Sequence, residues 1–328
     1  MPYEKIGPIE IITGENNSHV PYCTSLLIHG RNNNALIDCG GGKAAFDYIQ
    51  NVGIDELYLT HYHIDHIWGA HLFPLARKFI NPYDLKKIND PTELAKASGY
   101  YALFGKEGAE REVEKQLGKP QGEQPKPRWK PVIGVAEETY PFDKKIEIAG
   151  TTMHVLHTPG HTEGFCCPYF PEHGVLFAGD FDLTSFGPWY NDSDSDIDAF
   201  FDSAERTLEV DAKYYVTAHH KGTFERVEYE KRLRTYMDKI REREEKTKFA
   251  VQQGVHPKEI VYREIFYFIK NHRRNPVLMA SEILGIAKHL RHLIKEGRPF
   301  EGYFREFIAC HGLHEEWIDH QSDPVQDW

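Results

Sequence analysis

The segment Thr60-His61-Tyr62-His63-Ile64-Asp65-His66 holds the densest group of metal-binding side chains in the sequence. On an extended chain, residues two apart point the same way, so His61 and His63 can close on one ion. Asp65 and His66 follow where a helix would begin, and they can turn toward a second ion. Imidazole nitrogen and carboxylate oxygen are both donors that zinc accepts. Histidines packed as ordinary core residues would not gather at the end of an apolar run with an aspartate among them. The chemistry such a cluster allows is Lewis-acid activation of water for hydrolysis.

Three later segments supply what this cluster lacks. His157-Thr158-Pro159-Gly160-His161-Thr162 follows one apolar run, Ala178-Gly179-Asp180 follows Val175-Leu176-Phe177, and Thr217-Ala218-His219-His220 follows Tyr214-Tyr215-Val216. Each alone says little. Together they complete a seven-residue ligand set in which the last place falls to His219 or His220.

These residues need strands to hold them, and the pattern provides them. Ser25 to His29, Ala35 to Asp38, Glu56 to Thr60, Lys145 to Ile148, Thr152 to Leu156, Gly174 to Phe177 and Lys213 to Thr217 read as strands. Lys43 to Asn51 reads as a helix after the break at Gly40-Gly41-Gly42. The chemistry therefore sits just past strand ends, on loops that a sheet holds still. Residues 92–131 interrupt this rhythm with a helical, Tyr- and Phe-bearing stretch and a Gly/Pro-rich tail, as a surface excursion or a lid over the site would. From about Thr223 the periodicity turns helical, with Tyr229, Leu233, Tyr236 and Ile240 on one face and further helices expected at Pro257 to Ile269 and Met279 to Lys295. The expected division is a catalytic domain over 1–222 and a helical domain over 223–328.

Of the 328 residues 40% are hydrophobic, enough for a substantial core, and no run approaches the roughly 18 apolar residues a membrane helix needs. Without a secretory signal at the N-terminus, the expected location is the cytoplasm. Cys23, Cys39, Cys166, Cys167 and Cys310 show no CxxC spacing and are expected as free thiols. The net charge of −11 disfavours nucleic acid as a partner. A small-molecule substrate is expected, no membrane, and a homodimer stays open.

Asp38 before the glycine run, THYHIDH, HTPGHT, AGD and TAHH together resemble the metallo-β-lactamase-fold hydrolase superfamily, the glyoxalase II and β-lactamase-like-protein-2 branches in particular. The resemblance covers residues 38–220 and implies an α/β (α+β) fold, the αββα sandwich, followed by a C-terminal helical region similar to a small winged-helix-like domain. It implies that His61, His63 and His161 bind one metal, that Asp65, His66 and His219 bind a second, and that Asp180 bridges them. The family's last ligand usually follows a glycine; here Ala218 precedes two histidines, and His219 keeps the register. A histidine at position 63, where related iron enzymes carry glutamate, leans toward zinc, with iron or manganese as alternatives.

The implied activity is binuclear zinc hydrolysis of a thioester, ester or lactone by a metal-bridging hydroxide, with Asp65 and Asp180 in catalytic roles. A nuclease of the same superfamily, an iron-dependent persulfide dioxygenase-type oxidoreductase and a non-catalytic scaffold are the competing readings. Asp38 and Thr162 are candidates to orient ligands rather than bind metal. Phe186, Trp189 and Tyr190, directly after the AGD segment, are candidates to line the substrate pocket. Asp192, Asp194, Asp196 and Asp198 alternate without the glycine and glutamate of a calcium loop and read as a solvated loop that caps a helix. Lys288, Arg291, Lys295 and Arg298 read as a basic, solvated helix face.

Overall fold

Alternating apolar side chains build two sheets that share one inner core. The computed structural model describes residues 4–117, 133–220, 222–272 and 275–325. The first sheet runs in chain order: β1 (Glu4–Ile6), β2 (Ile9–Ile12), β3 (Ser25–His29), β4 (Asn34–Ile37), β5 (Glu56–Leu59), β6 (Arg77–Ile80) and β7 (Glu138–Thr139). The second contains β8 (Lys145–Ile148), β9 (Thr151–His157), β10 (Cys166–Phe170), β11 (Val175–Gly179), β12 (Tyr214–Thr217) and β13 (Thr223–Glu225), in the reverse of chain order.

Leu26, Ile28, Ile37 and Tyr58 of the first sheet meet Val155, Cys166, Phe177 and Val216 of the second in the inner core. Their neighbours Leu27, Leu36, Leu57 and Leu59 face outward onto Ala45, Phe46 and Ile49 of the helix Lys43–Val52. On the other side, Leu156, Cys167, Leu176 and Tyr215 face Phe200 and Ala204 of the helix Ile197–Glu209 and Tyr229, Leu233 and Tyr236 of the helix Arg226–Gln252. The helices Lys43–Val52 and Ile197–Glu209 cross over between parallel strands, β4 to β5 and β11 to β12, which is why they lie on the outer faces. The layers are helix, sheet, sheet, helix.

The long helix Arg226–Gln252 leaves the sandwich at its far end, where Ala250 joins Ile260, Leu284, Leu290, Phe304 and Phe307 in a separate apolar cluster. The helix Pro276–Lys295 covers the expected Met279–Lys295 and begins three residues earlier, capped by the Asn275 side chain. The expected helix over Pro257–Ile269 does not form. Ile260–Tyr262 makes a single tight turn, and the backbone N–H groups of Ile265, Phe266 and Tyr267 donate to the Glu282 carboxylate instead of to a preceding turn. A further helix, Glu301–His311, was not distinguished in the sequence pattern.

Within 92–131 the described part forms two helices, Pro91–Ala97 and Tyr100–Leu117, the second kinked at Gly105. Tyr101 packs edge-on to Trp317 at 5.0 Å, so this excursion leans on the C-terminal segment. The Gly/Pro-rich tail from 118 lies outside the described residues. All five cysteines are unpaired thiols. No helix among the described residues is long and apolar enough to cross a membrane.

Gly40 is where the first sheet passes under the His61–His66 loop. A side chain there would place its Cβ 1.4 Å from the Asp65 carbonyl oxygen, a backbone atom that cannot step aside cheaply. Gly40→Ala is expected to cost about 3 kcal/mol of stability by overpacking. Urea denaturation checks this, and a change under about 0.5 kcal/mol would show that the loop can shift.

Candidate metal centre

Every residue of the proposed ligand set follows the C-terminal end of a strand: His61, His63, Asp65 and His66 follow β5, His161 follows β9, Asp180 follows β11 and His219 follows β12. A register shift in β11 at Gly179, whose φ of 53° suits glycine, turns Asp180 out of the ladder. Ala218 N–H donates to the Gly179 carbonyl and brings His219 to the same edge.

The structure brings all seven side chains together in two groups. His61, His63, His161 and Asp180 form one, and Asp65, His66 and His219 form the other, each with ligand atoms within 4.8 Å of one another. Asp180 reaches both, with Oδ2 3.1 Å from His161 Nε2 and Oδ1 2.9 Å from His66 Nε2. His220 turns away in a left-handed conformation (φ 61°) and packs edge-on against the His19 ring at 3.8 Å.

The outer nitrogen of each imidazole has an oxygen acceptor, and this decides what the inner nitrogen can be. His161 Nδ1–H donates to the Trp189 carbonyl (2.9 Å), and His219 Nδ1–H to the Tyr22 and Ser18 carbonyls (2.9 and 3.1 Å). His66 Nδ1 meets the Asp38 carboxylate at 2.7 Å and His63 Nε2 meets Asp192 at 2.9 Å. Thr60 spends its hydroxyl hydrogen on Asp38 (2.8 Å), so its oxygen accepts from His61 Nδ1–H at 3.1 Å. A neutral imidazole with one N–H committed outward presents a bare lone pair inward.

Those lone pairs face one another: His63 Nδ1 and His161 Nε2 are 3.0 Å apart, His66 Nε2 and His219 Nε2 are 3.3 Å apart, and buried His61 Nε2 has no partner. Protonation is one resolution: although burial opposes it, Asp180 and Asp38 raise the His66 pKa, Asp192 that of His63, and Asp182 and Asp180 that of His219, whereas burial and the neighbouring histidines hold the His61 pKa well below its usual value. A cation between them is the other. Donors about 2.05 Å from a tetrahedral ion stand about 3.3 Å apart. The contacts here include 2.9 Å (His66 to Asp180) and 3.8 Å (His61 to Asp180), with all ligand atoms of each group within 4.8 Å of one another, so the residues fit divalent metal ions.

The second candidate for orienting ligands, Thr162, is buried but its hydroxyl has no hydrogen-bond partner, so of the two candidates Asp38 alone orients a ligand through its side chain. Asp38 also accepts from the Thr60 N–H (2.8 Å) and is fully buried. Five contributors were not read from the sequence. Three are the carbonyls of Ser18, Tyr22 and Trp189, and backbone carbonyls leave no residue signature. The fourth is the Thr60 hydroxyl on His61. The fifth is Asp192, expected in a solvated loop; instead it grips His63, while Asp194 is buried against Lys87 (2.7 Å) and accepts from Tyr62 (3.1 Å). Asp196 alone behaves as expected, capping the helix Ile197–Glu209 through Ala199 N–H.

The segment 186–198 is held by the C-terminal helices. Arg243 donates to the carbonyls of Pro188 and Phe186, Lys288 to those of Ser195 (2.7 Å) and Ser193 (3.3 Å), and Asn191 to Ser281 (2.8 Å). Lys288 is thus buried, unlike the solvated face expected, whereas Lys295 and Arg298 are exposed as expected; Arg291 pairs with Asp319 and Lys295 with Asp198. Of the three pocket candidates, Tyr190 is fully buried with its hydroxyl on His289 (2.9 Å) and is a core residue. Trp189 contributes its carbonyl to His161, and Phe186 is exposed, lying over Arg243 and beside Tyr267.

A sequence profile described as the metallo-beta-lactamase superfamily matches residues 20–219. The chain belongs to that superfamily, whose members are mostly metal-dependent hydrolases. Among solved structures, a metallo-beta-lactamase family protein from Thermus thermophilus is similar, with 21% identity and a TM-score of 0.61 over 88% of this chain and 94% of the other. A beta-lactamase domain protein from Burkholderia ambifaria is similar at 14% identity and a TM-score of 0.59, over 90% and 88% of the two chains. At these identities they show the fold alone. An uncharacterized protein of Aquifex aeolicus (strain VF5) is 27% identical over 162 residues, which is 48% of this chain and 63% of that protein's length.

The Asp198 end of the 186–198 segment is also tied by charge. His292 pairs with Glu244 (2.6 Å) and Asp198 (3.0 Å). The hydrogen bond to Glu244 raises the His292 pKa from 6.5 to about 9. Burial works against Glu244's charge, yet hydrogen bonds from His289 and His292 lower its pKa from 4.5 to about 2. Because His292 is raised, its stabilising contribution is complete below pH 6.5 and is lost as pH climbs through about 9. Denaturation of wild type and His292→Gln across this window is expected to show curves that converge toward pH 9. Parallel curves would mean the pair does not tie the segment.

Proposed function

We propose that this protein is a binuclear zinc hydrolase that cleaves an uncharged acyl substrate, a thioester, ester or lactone. The observation that carries the reading is the inward set of histidine lone pairs, in two groups joined by Asp180. His61, His63 and His161 would hold one ion and Asp65, His66 and His219 the other, with Asp180 shared. When bound, two such ions supply Lewis acidity and lower the pKa of water from 15.7 to about 7, giving a hydroxide nucleophile near neutral pH.

The chain's own residues do the rest. Asp38, Asp192 and the carbonyls of Trp189, Ser18 and Tyr22 fix the rings so that no reorganisation is needed during turnover. Asp65, about 15% exposed at its side chain, reaches the solvent side of the centre, where it can pass a proton to a leaving group. Preference for an uncharged acyl group follows from the surroundings. The charged side chains that bond to the ligand rings from outside the set are carboxylates, Asp38 and Asp192. Among the described residues no Lys or Arg hydrogen-bonds to any of the seven, so a phosphodiester would meet no cationic side chain there.

The test is metal content by elemental emission together with a panel of a lactone, an acyl thioester, an ester and single-stranded RNA. Close to two ions per chain and hydrolysis of an acyl substrate are expected, with RNA left intact. RNA cleavage without acyl hydrolysis would replace this reading by the nuclease. Asp180→Ala is expected to fall below about a tenth of the wild-type rate, a barrier rise of more than about 1.4 kcal/mol. His219→Ala is expected to lose one metal equivalent, whereas His220→Ala keeps both. The reverse result would move the ligand by one residue.

A further inference from the structure

The centre contains one more carboxylate than the seven-residue set uses. Asp182 lies two residues past Asp180, and Asp180, Asp182 and His219 each offer a ligand atom within 4.8 Å of the others. Three buried polar atoms in this region have no hydrogen-bond partner: His61 Nε2, Asp180 Oδ1 and Asp182 Oδ1. Asp180 Oδ1 lies 2.9 Å from His66 Nε2, a contact that either a proton or a cation between the two would satisfy. The three orphans therefore share one deficiency, the lack of a positive partner. A carboxylate oxygen sealed from water without a donor is strongly disfavoured. A cation that reaches Asp180 and His219 would reach Asp182 as well.

We propose that Asp182 is a further metal donor, serving the ion held by Asp65, His66 and His219. The inference rests on the binuclear reading above and changes what the two halves prefer. One half has three imidazoles and a share of Asp180. The other would have two imidazoles, Asp65, Asp182 and a share of Asp180, with Asp182 joined to it through His219 and Asp180, and would be richer in hard oxygen donors. Carboxylate oxygens suit manganese, and imidazoles suit zinc. The halves are then unequal: the histidine-rich half takes zinc, and the carboxylate-rich half accepts manganese. Against two dications, three carboxylates in place of two leave a smaller surplus of positive charge, which favours retention of the second ion.

The experiment uses the full chain stripped of metal and titrated with Mn(II), followed by the electron paramagnetic resonance of free and bound manganese, with zinc competition for both equivalents. Wild type is expected to bind two equivalents. Asp182→Asn, which keeps the shape and removes the charge, is expected to weaken the manganese-preferring equivalent by tenfold or more and to leave the other within twofold. Metal-free Asp182→Asn is also expected to melt no lower than metal-free wild type, because the substitution removes an unpartnered buried charge. If Asp182→Asn and Asp182→Ala both hold the two equivalents as tightly as wild type, Asp182 is not a donor. If wild type itself takes fewer than two ions, the binuclear reading fails, a result distinguishable from failure of the Asp182 assignment alone.

Discussion

Imidazole nitrogens that face one another with bare lone pairs in a dry cavity repel, and only a proton or a cation between them removes the repulsion. The fold creates that situation by committing the outer nitrogens to oxygen acceptors, of which Asp38, buried and holding both Thr60 and His66, is the most deeply set. The strain is local, but the parts that impose it come from across the chain. The loop before β3 supplies the Ser18 and Tyr22 carbonyls, the end of β4 supplies Asp38, and the segment after β11 supplies the Trp189 carbonyl and Asp192. The sandwich can be understood as a frame that sets these acceptors at fixed distances behind the rings.

The C-terminal helices belong to this arrangement. Arg243 and Lys288 donate to backbone carbonyls of the segment that carries Trp189 and Asp192, so helix packing is transmitted to the orientation of His161 and His63. Lys288 is buried beside Ser193 and Ser195 carbonyls, where its charge is met by several oxygen dipoles and by Asp319 at 3.2 Å. Removing one member of such a set leaves the others uncompensated, which makes these helices part of the centre's rigidity rather than an appendage.

Much of the centre was legible because its residues sit at strand ends, where apolar alternation stops and a histidine or aspartate follows. His61 after Glu56–Leu59 and Asp180 after Val175–Gly179 are both of this kind. His219 was distinguishable from His220 because neighbouring residues at a strand end diverge, and in the structure only the first points inward. The ring-orienting carbonyls could not be read, since any residue type can supply one. Asp192 and Asp194 looked solvated because an alternating run of aspartates gives no hint that Lys87 is buried beneath them. Lys288 was misread as solvated for the same reason: helical periodicity shows which residues share a face, but not what covers each of them. Asp182 was passed over because one carboxylate after β11 already completed the familiar set.

Occupation of the space between these donors by two cations is what the proposed hydrolysis requires. Diffraction recorded above and below the zinc absorption edge, from crystals of the full chain grown with zinc, addresses it directly. The account requires two anomalous peaks, one bonded to His61, His63 and His161 and the other to Asp65, His66 and His219, with Asp180 touching both. Rings that instead contact each other through protons, with no anomalous density between them, would contradict it.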